Sequence, residues 1–206
     1  MADETPALAP VIIDPTRARI VTGARKHFFS LGFRGVTMDD LAKELGMSKK
    51  TLYAHFQSKV DLLRGVMMDK FADVERDLEA VTAKPASGFI DVLHDLLATL
   101  QRHTGEIQPV YVRDVQREMP ELFGIVLQRR QELIQRYFSK VLLTGRKAGM
   151  IRKDISLDFM IAVLLGATES VVNPTKMMEF GLTPKEGLSA VISIFLEGVI
   201  TKKGKL

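Results

Sequence analysis

The chain has 206 residues, 46% apolar and 26% charged, with a net charge of +4 and no cysteine. This is the composition of a globular protein with room for one or two domains and a sizeable core, and it excludes a disordered chain. The missing cysteine excludes disulfides, thiolate metal sites and a thiol nucleophile, and it suits a reducing, cytoplasmic location.

The N-terminal stretch MADETPALAPVIIDP is acidic and carries prolines. It has no basic leader and no long apolar run, so it does not read as a secretory signal. Residues 1–13 are expected to form a disordered arm. The first helix starts at Asp14 as cap with Pro15 in the first turn. Ile20, Ala24, Phe28 and Leu31 recur along one face, and Gly32 stops it. Thr37-Met38-Asp39-Asp40 is a capping box that opens the second helix, where Leu41 and Leu45 face inward and Gly46 ends the run. Ser48 caps a third helix, Lys49 to Phe56. Ser58 and Asp61 read as another capping box, opening a long fourth helix. Its apolar positions Val60, Leu63, Met67, Phe71, Val74, Leu78 and Val81 advance in steps of three and four. Lys84-Pro85-Ala86-Ser87-Gly88 reads as a loop. Helices follow at roughly 88–103, 107–119, 121–147, 156–172 and 184–201, set apart by Pro109, Pro120 and Asn173-Pro174, and Thr183 to Glu186 is a further capping box. The longest apolar run, Phe159 to Ala167, is well short of the ~20 residues a membrane span needs. The expected fold is therefore all-α. An N-terminal three-helix helix-turn-helix domain takes residues 1–60, and a C-terminal helical ligand-binding and dimerisation domain takes 61–206.

Charge is unevenly placed. Between Thr16 and Val60 nine basic residues face three acidic ones, a local +6, which leaves −2 for the rest. A basic head on a near-neutral body suits an anionic partner such as nucleic acid, although a solvated basic surface would look the same. The second helix, a short turn at Gly46-Met47-Ser48 and the third helix have helix-turn-helix spacing, in which the second of the pair can enter the DNA major groove. At ~100° per residue from Lys49, Leu52 and Phe56 define a buried side near 320°. Lys50, Thr51 and Ala54 lie opposite, with Tyr53 and His55 flanking on either side. The outer three suit base edges: an ammonium for guanine, a hydroxyl, and a methyl for thymine. The flanking phenol and imidazole suit phosphate oxygens. Thr37, Ser48 and Lys59 sit at or beside capped helix starts, whose free amides attract anions.

These residues resemble a known family. The run GFRGVTMDDLAKELGMSKKTLYAHFQSKVDLL, Gly32 to Leu63, is similar to the N-terminal domain of the TetR-type (tetracycline-repressor-like) transcriptional regulators. The likeness is carried by Phe33, Thr37, Ala42, Gly46, Ser48, Lys49, Leu52, Tyr53, His55, Phe56, Ser58 and Lys59. It implies a homodimer on a palindromic double-stranded DNA operator, with a small-molecule effector bound in the C-terminal domain. It also implies phosphate contacts from Thr37, Ser48, Lys49, Tyr53, His55 and Lys59. Lys50 and Ala54 depart from the residues frequent in the family, and that changes the operator read rather than the binding itself.

The C-terminal body says less. The last helix carries Leu188, Val191, Ile192, Phe195 and Val199 among apolar residues on more than one side, which fits either a dimer interface or a core helix; the dimer is favoured. Candidate effector contacts are Leu93, Leu97, Val110, Tyr111, Phe123, Leu127, Tyr137, Met160 and Leu164, with polar candidates His94, Arg113, Gln116, Thr168 and Glu169. Asp91, His94 and Asp95 read as neighbours on an exposed face rather than a metal site, and no cofactor is expected. No P-loop, GxSxG, HExxH or GxGxxG is present, so no enzyme is expected. The leading expectation is a ligand-released repressor. A constitutive DNA-binding dimer, or a helical ligand-binding or enzymatic domain with a relict head, are the alternatives.

Overall fold

The structure, a computed structural model, describes residues 14–83 and 88–201. The expected N-terminal arm and most of the expected loop at 84–88 lie outside the described residues. Among the described residues there are ten α-helices: α1 Pro15–Leu31, α2 Met38–Glu44, α3 Lys49–His55, α4 Lys59–Thr82, α5 Phe89–Gly105, α6 Pro109–Glu118, α7 Pro120–Lys147, α8 Leu157–Val171, α9 Pro174–Phe180 and α10 Pro184–Val199. The fold is all-α. The only extended pairing described is a single antiparallel bridge, Ile151 with Ile200. No single described helix is long and apolar enough to cross a membrane.

The helix starts follow their caps. The Asp14 carboxylate accepts from the amides of Thr16 and Arg17, with Pro15 at the first helical position. Both halves of the Thr37–Asp40 and Thr183–Glu186 boxes form. The Ser58 box is only half made. Ser58 accepts from the Asp61 amide, but the Asp61 carboxylate takes the amide of Gln57 instead of that of Ser58. α9 is an addition to the sequence reading. Asn173-Pro174 acts as cap and first turn of a seven-residue helix as well as a break. Two positions expected to face inward do not: Leu31 and Val60 are exposed.

Two apolar cores divide the molecule. The first gathers Ile20, Phe28, Leu41 and Leu52 from α1–α3 and Phe56 just past α3 with Leu62, Leu63, Val66 and Met67 from the start of α4. It also takes Tyr111 and Val115 of α6 and Leu122 of α7, so α6 is built into the head's core. The second runs from Leu78 on α4 through α5, α7, α8 and α10, with Tyr137, Phe138 and Leu142 at its centre.

Candidate nucleic-acid interface and internal cavity

The helix-turn-helix is set by its own backbone. Gly46 adopts φ +60, the left-handed conformation glycine takes without strain, and the Met47 amide bonds back to the Ala42 carbonyl. Ser48 caps α3 through the Thr51 amide at 3.0 Å. Leu52 and Phe56 are fully buried and fix the roll of α3. α1 then braces α3 from behind. The Arg17 guanidinium stacks 4.1 Å above the Phe56 ring and donates to the His55 carbonyl at 2.9 Å, and Arg19 donates to the Leu45 carbonyl. With the anchors inside, Lys50, Thr51, Tyr53 and Ala54 are exposed on one side.

Several donors on this surface already have intramolecular partners. Lys49 Nζ lies 2.5 Å from the Asp39 carboxylate, and His55 Nδ1 lies 3.0 Å from that of Asp14. Thr37 Oγ1 donates to Asp40 at 2.5 Å while accepting the Asp40 amide. These bonds from Thr37 hold the Asp40 carboxyl below its usual range. Ser48 and Thr51 share a hydroxyl–hydroxyl bond of 2.8 Å. Lys59 Nζ sits 4.1 Å over the Phe33 ring; burial lowers its pKa, against the pull of the Asp114 carboxylate.

Asp114 is the joint between head and body. It is a buried carboxylate on α6 that accepts the Arg34 amide at 3.0 Å. Gly32, at φ +80, lies so close that a Cβ there would sit 2.6 Å from Asp114 Oδ2. A second joint is ionic. Arg25 of α1 reaches Asp73 of α4 at 2.5 Å and Glu106, just past α5, at 2.8 Å. Glu106 also accepts Lys70 Nζ at 2.7 Å. Lys70 meets His103 Nδ1 at 2.9 Å, and His103 Nε2 lies 2.9 Å from Asp77. Burial, then the neighbouring Lys70, pushes the His103 pKa down.

Behind this network the body holds a cavity of about 190 Å³, walled by α4, α5, α6, α7, α8 and α10, with Phe29 of α1 at its head end. The wall is overwhelmingly apolar. Its basic residues are Lys70, His103 and Arg130, and no acidic residue lines it. The Tyr111 hydroxyl and Arg130 Nε are sealed from solvent without a hydrogen-bond partner. Burial raises the Tyr111 pKa.

Residues 20–66 match the family model described as bacterial regulatory proteins, tetR family. The regulator UidR of Escherichia coli K12 is 28% identical over 163 residues, covering 77% of this chain and 80% of its own. These matches support a TetR-type DNA-binding transcriptional regulator, with the family match itself lying in the helix-turn-helix head. Solved structures of similar fold align over about nine-tenths of the chain. A transcriptional regulator from Saccharomonospora viridis in complex with choline gives a TM-score of 0.68 at 18% identity, covering 90% of this chain and 98% of that one. A SmeT–triclosan complex gives 0.61 at 15% identity, covering 92% and 93%.

In this TetR-type frame the expected DNA residues Thr37, Ser48, Lys49, Lys50, Thr51, Tyr53, Ala54, His55 and Lys59 all fall on α3 or at the starts of α2, α3 and α4. The expected cavity residues divide. Tyr111, Tyr137, Leu164 and Thr168 line it. Leu97 instead lines an open groove between α5 and α10. His94 and Glu169 are exposed, because their helices turn them outward. Arg113 is exposed and, with Val110, borders a shallow cleft beside the head. Phe123 packs against the head core, Met160 and Leu93 sit in the second core, and Gln116 and Leu127 do not reach the cavity. The expected interface residues Val191, Ile192, Phe195 and Val199 are buried in the chain's own second core, with Leu188 packed against it. The outward side of α10 carries Ile194, 74% exposed, and the adjacent α8 exposes Phe159 and Val163. Lys70, His103 and Arg130 were not anticipated as lining. Their signal was present: each is a charged or polar residue in an inward helical register, such as Val126–Arg130–Ile134 on α7.

Proposed function

We propose that the chain is a cytoplasmic, non-enzymatic repressor. As a homodimer it binds a palindromic operator, and a small, mainly apolar or amphipathic effector in the internal cavity releases it. Residues 1–60 act as the DNA-binding domain and residues 61–206 as the effector-binding and dimerisation domain. Tyr53, His55, Lys49 and Lys59 grip phosphates; Lys50, Thr51 and Ala54 read bases. The exposed α8–α10 face, with Phe159, Val163 and Ile194, meets a second copy in place of the buried α10 residues. Two proteins of similar fold, solved with choline and with triclosan, support a small-molecule effector.

The observation that carries this reading is that α6 serves both ends. Tyr111 stands in the cavity wall, and Asp114, one turn on, holds the Arg34 amide of the head. A ligand that displaces α6 therefore displaces the head, and two heads must keep a groove spacing of ~34–36 Å to stay bound together. The test is selection of bound DNA from a random pool, followed by anisotropy titrations of the selected operator against salt. Tyr53→Ala weakens binding at every salt concentration, whereas Lys49→Ala also lowers the magnitude of the slope of log K against log salt, because only a cation releases counterions from phosphate. An unchanged affinity rejects the phosphate role of Tyr53.

A further inference from the structure

The cavity wall contains two mismatched groups. Arg130 donates through its outer nitrogens to the carbonyls of Val172, at 3.2 Å, and Thr168, at 3.5 Å, at the end of α8. Those bonds cap the helix but leave Nε–H without an acceptor. Among the described residues no carboxylate lies within ion-pair distance of this guanidinium; Glu169 acts on it only through space and is itself exposed, bonded to Gln131. The Tyr111 hydroxyl is the second orphan. Buried polar groups left unpaired are costly, so a ligand that supplies the missing partners is favoured at this wall.

Chemistry narrows that ligand. Nε–H is only a donor, and a buried tyrosine hydroxyl can donate, so acceptors are what is missing. Lys70 is already matched by Glu106, which leaves Arg130 as the wall's uncompensated cation. A neutral ligand would leave that charge bare and an amine would be repelled by it. A phosphate or sulfate offers more acceptor oxygens than two orphan donors can serve. A cavity of about 190 Å³ has room for a small molecule, and the remaining wall is apolar.

We infer that the effector is a small carboxylic acid with an apolar body, its carboxylate held by Arg130 and an oxygen taking the Tyr111 hydroxyl. This rests on the cavity being the effector site. The carboxylate neutralises the guanidinium in a low-dielectric site, where a charge-assisted bond is strongest.

The test uses the full chain and matched probes: sodium hexanoate and sodium benzoate against hexanamide, benzamide and hexylamine, by calorimetry and thermal shift. The acids bind at least about tenfold tighter than their amides, ~1.4 kcal/mol. Arg130→Gln abolishes that preference while the amides bind as before, Arg130→Lys keeps part of it, and Tyr111→Phe weakens the acids several-fold. Circular dichroism melts confirm that each variant is folded. Equal binding of acid and amide to the unaltered protein, a preference that survives Arg130→Gln, or no binding by any probe at millimolar concentration overturns the carboxylate assignment. Acids that bind through Arg130 yet leave operator affinity unmoved uphold the site and remove instead its reading as the effector pocket.

Discussion

Replacing Asp114 tests the joint between body and head. Its buried carboxylate accepts the Arg34 amide at 3.0 Å and stands 3.9 Å from Arg113. Asp114→Ala removes a charge-assisted acceptor and leaves the Arg34 donor unsatisfied, a loss of about 1–3 kcal/mol. For a chain of this length each kcal/mol moves the midpoint by roughly 2–4 °C, so the melt falls by about 2–12 °C. Asp114→Asn retains an acceptor oxygen for the amide and loses only the charge, so it falls between the two. Circular dichroism melts with urea titrations measure this directly. With α6 unlatched from the head, a cavity ligand should also change operator affinity less in Asp114→Ala than in the unaltered protein. An Asp114→Ala stability within about 0.5 kcal/mol of the original, the range of an inert surface change, refutes the reasoning.

Other substitutions probe separate parts of the fold. Ile194→Glu places a charge on the outward side of α10, where the monomer loses nothing; sedimentation should show monomers with an unchanged helical signal, and persistent dimers would exclude that face. Gly145→Ala brings a methyl to 2.5 Å from the Phe89 ring and 2.7 Å from Ile151, so overpacking should cost about 1–3 kcal/mol in chemical denaturation. The depressed pKa of His103 makes the unfolded chain bind its proton first, so stability falls as pH drops below ~6.5 and until the folded imidazole charges. His103→Gln should flatten stability between about pH 7.5 and 5.5, because Asp73, Asp77 and Glu106 have lowered pKa values and stay ionised there. An unchanged slope in that window would assign the effect elsewhere.

What could be read from the sequence follows the range of the interactions involved. Asp14, Thr37, Ser48 and Thr183 cap helices through groups two or three residues away, so those starts were visible without tertiary knowledge. The roll of α3 likewise needs only Leu52 and Phe56, four residues apart. α10 was harder. With apolar residues on several sides, its periodicity does not say which side meets the body, and Val191, Ile192, Phe195 and Val199 turned inward while Ile194 stayed out. The cavity depends on seven helices spread from Phe29 to Ile192, and no local pattern records where they leave space. Arg130 was nonetheless detectable in kind, as a charge at a buried register with no acid three or four residues before it.

The pairing of the head's donors bears on how it meets DNA. Lys49 with Asp39 and His55 with Asp14 are bonds between partly exposed groups, and such pairs contribute about 0–1 kcal/mol. Exchanging these carboxylates for phosphates therefore costs little in fold stability. In the proposed complex Asp39 and Asp14 stay near the duplex, so a phosphate must displace an acid rather than fill an empty site. That selects for a strongly charged, correctly spaced partner over isolated anions. Thr37 and Ser48 behave differently: their hydroxyls are committed to caps that hold α2 and α3 in place. In the proposed complex they would act on the DNA backbone through the amides those caps orient, so removing either hydroxyl should disturb the position of the recognition helix before it removes a phosphate contact.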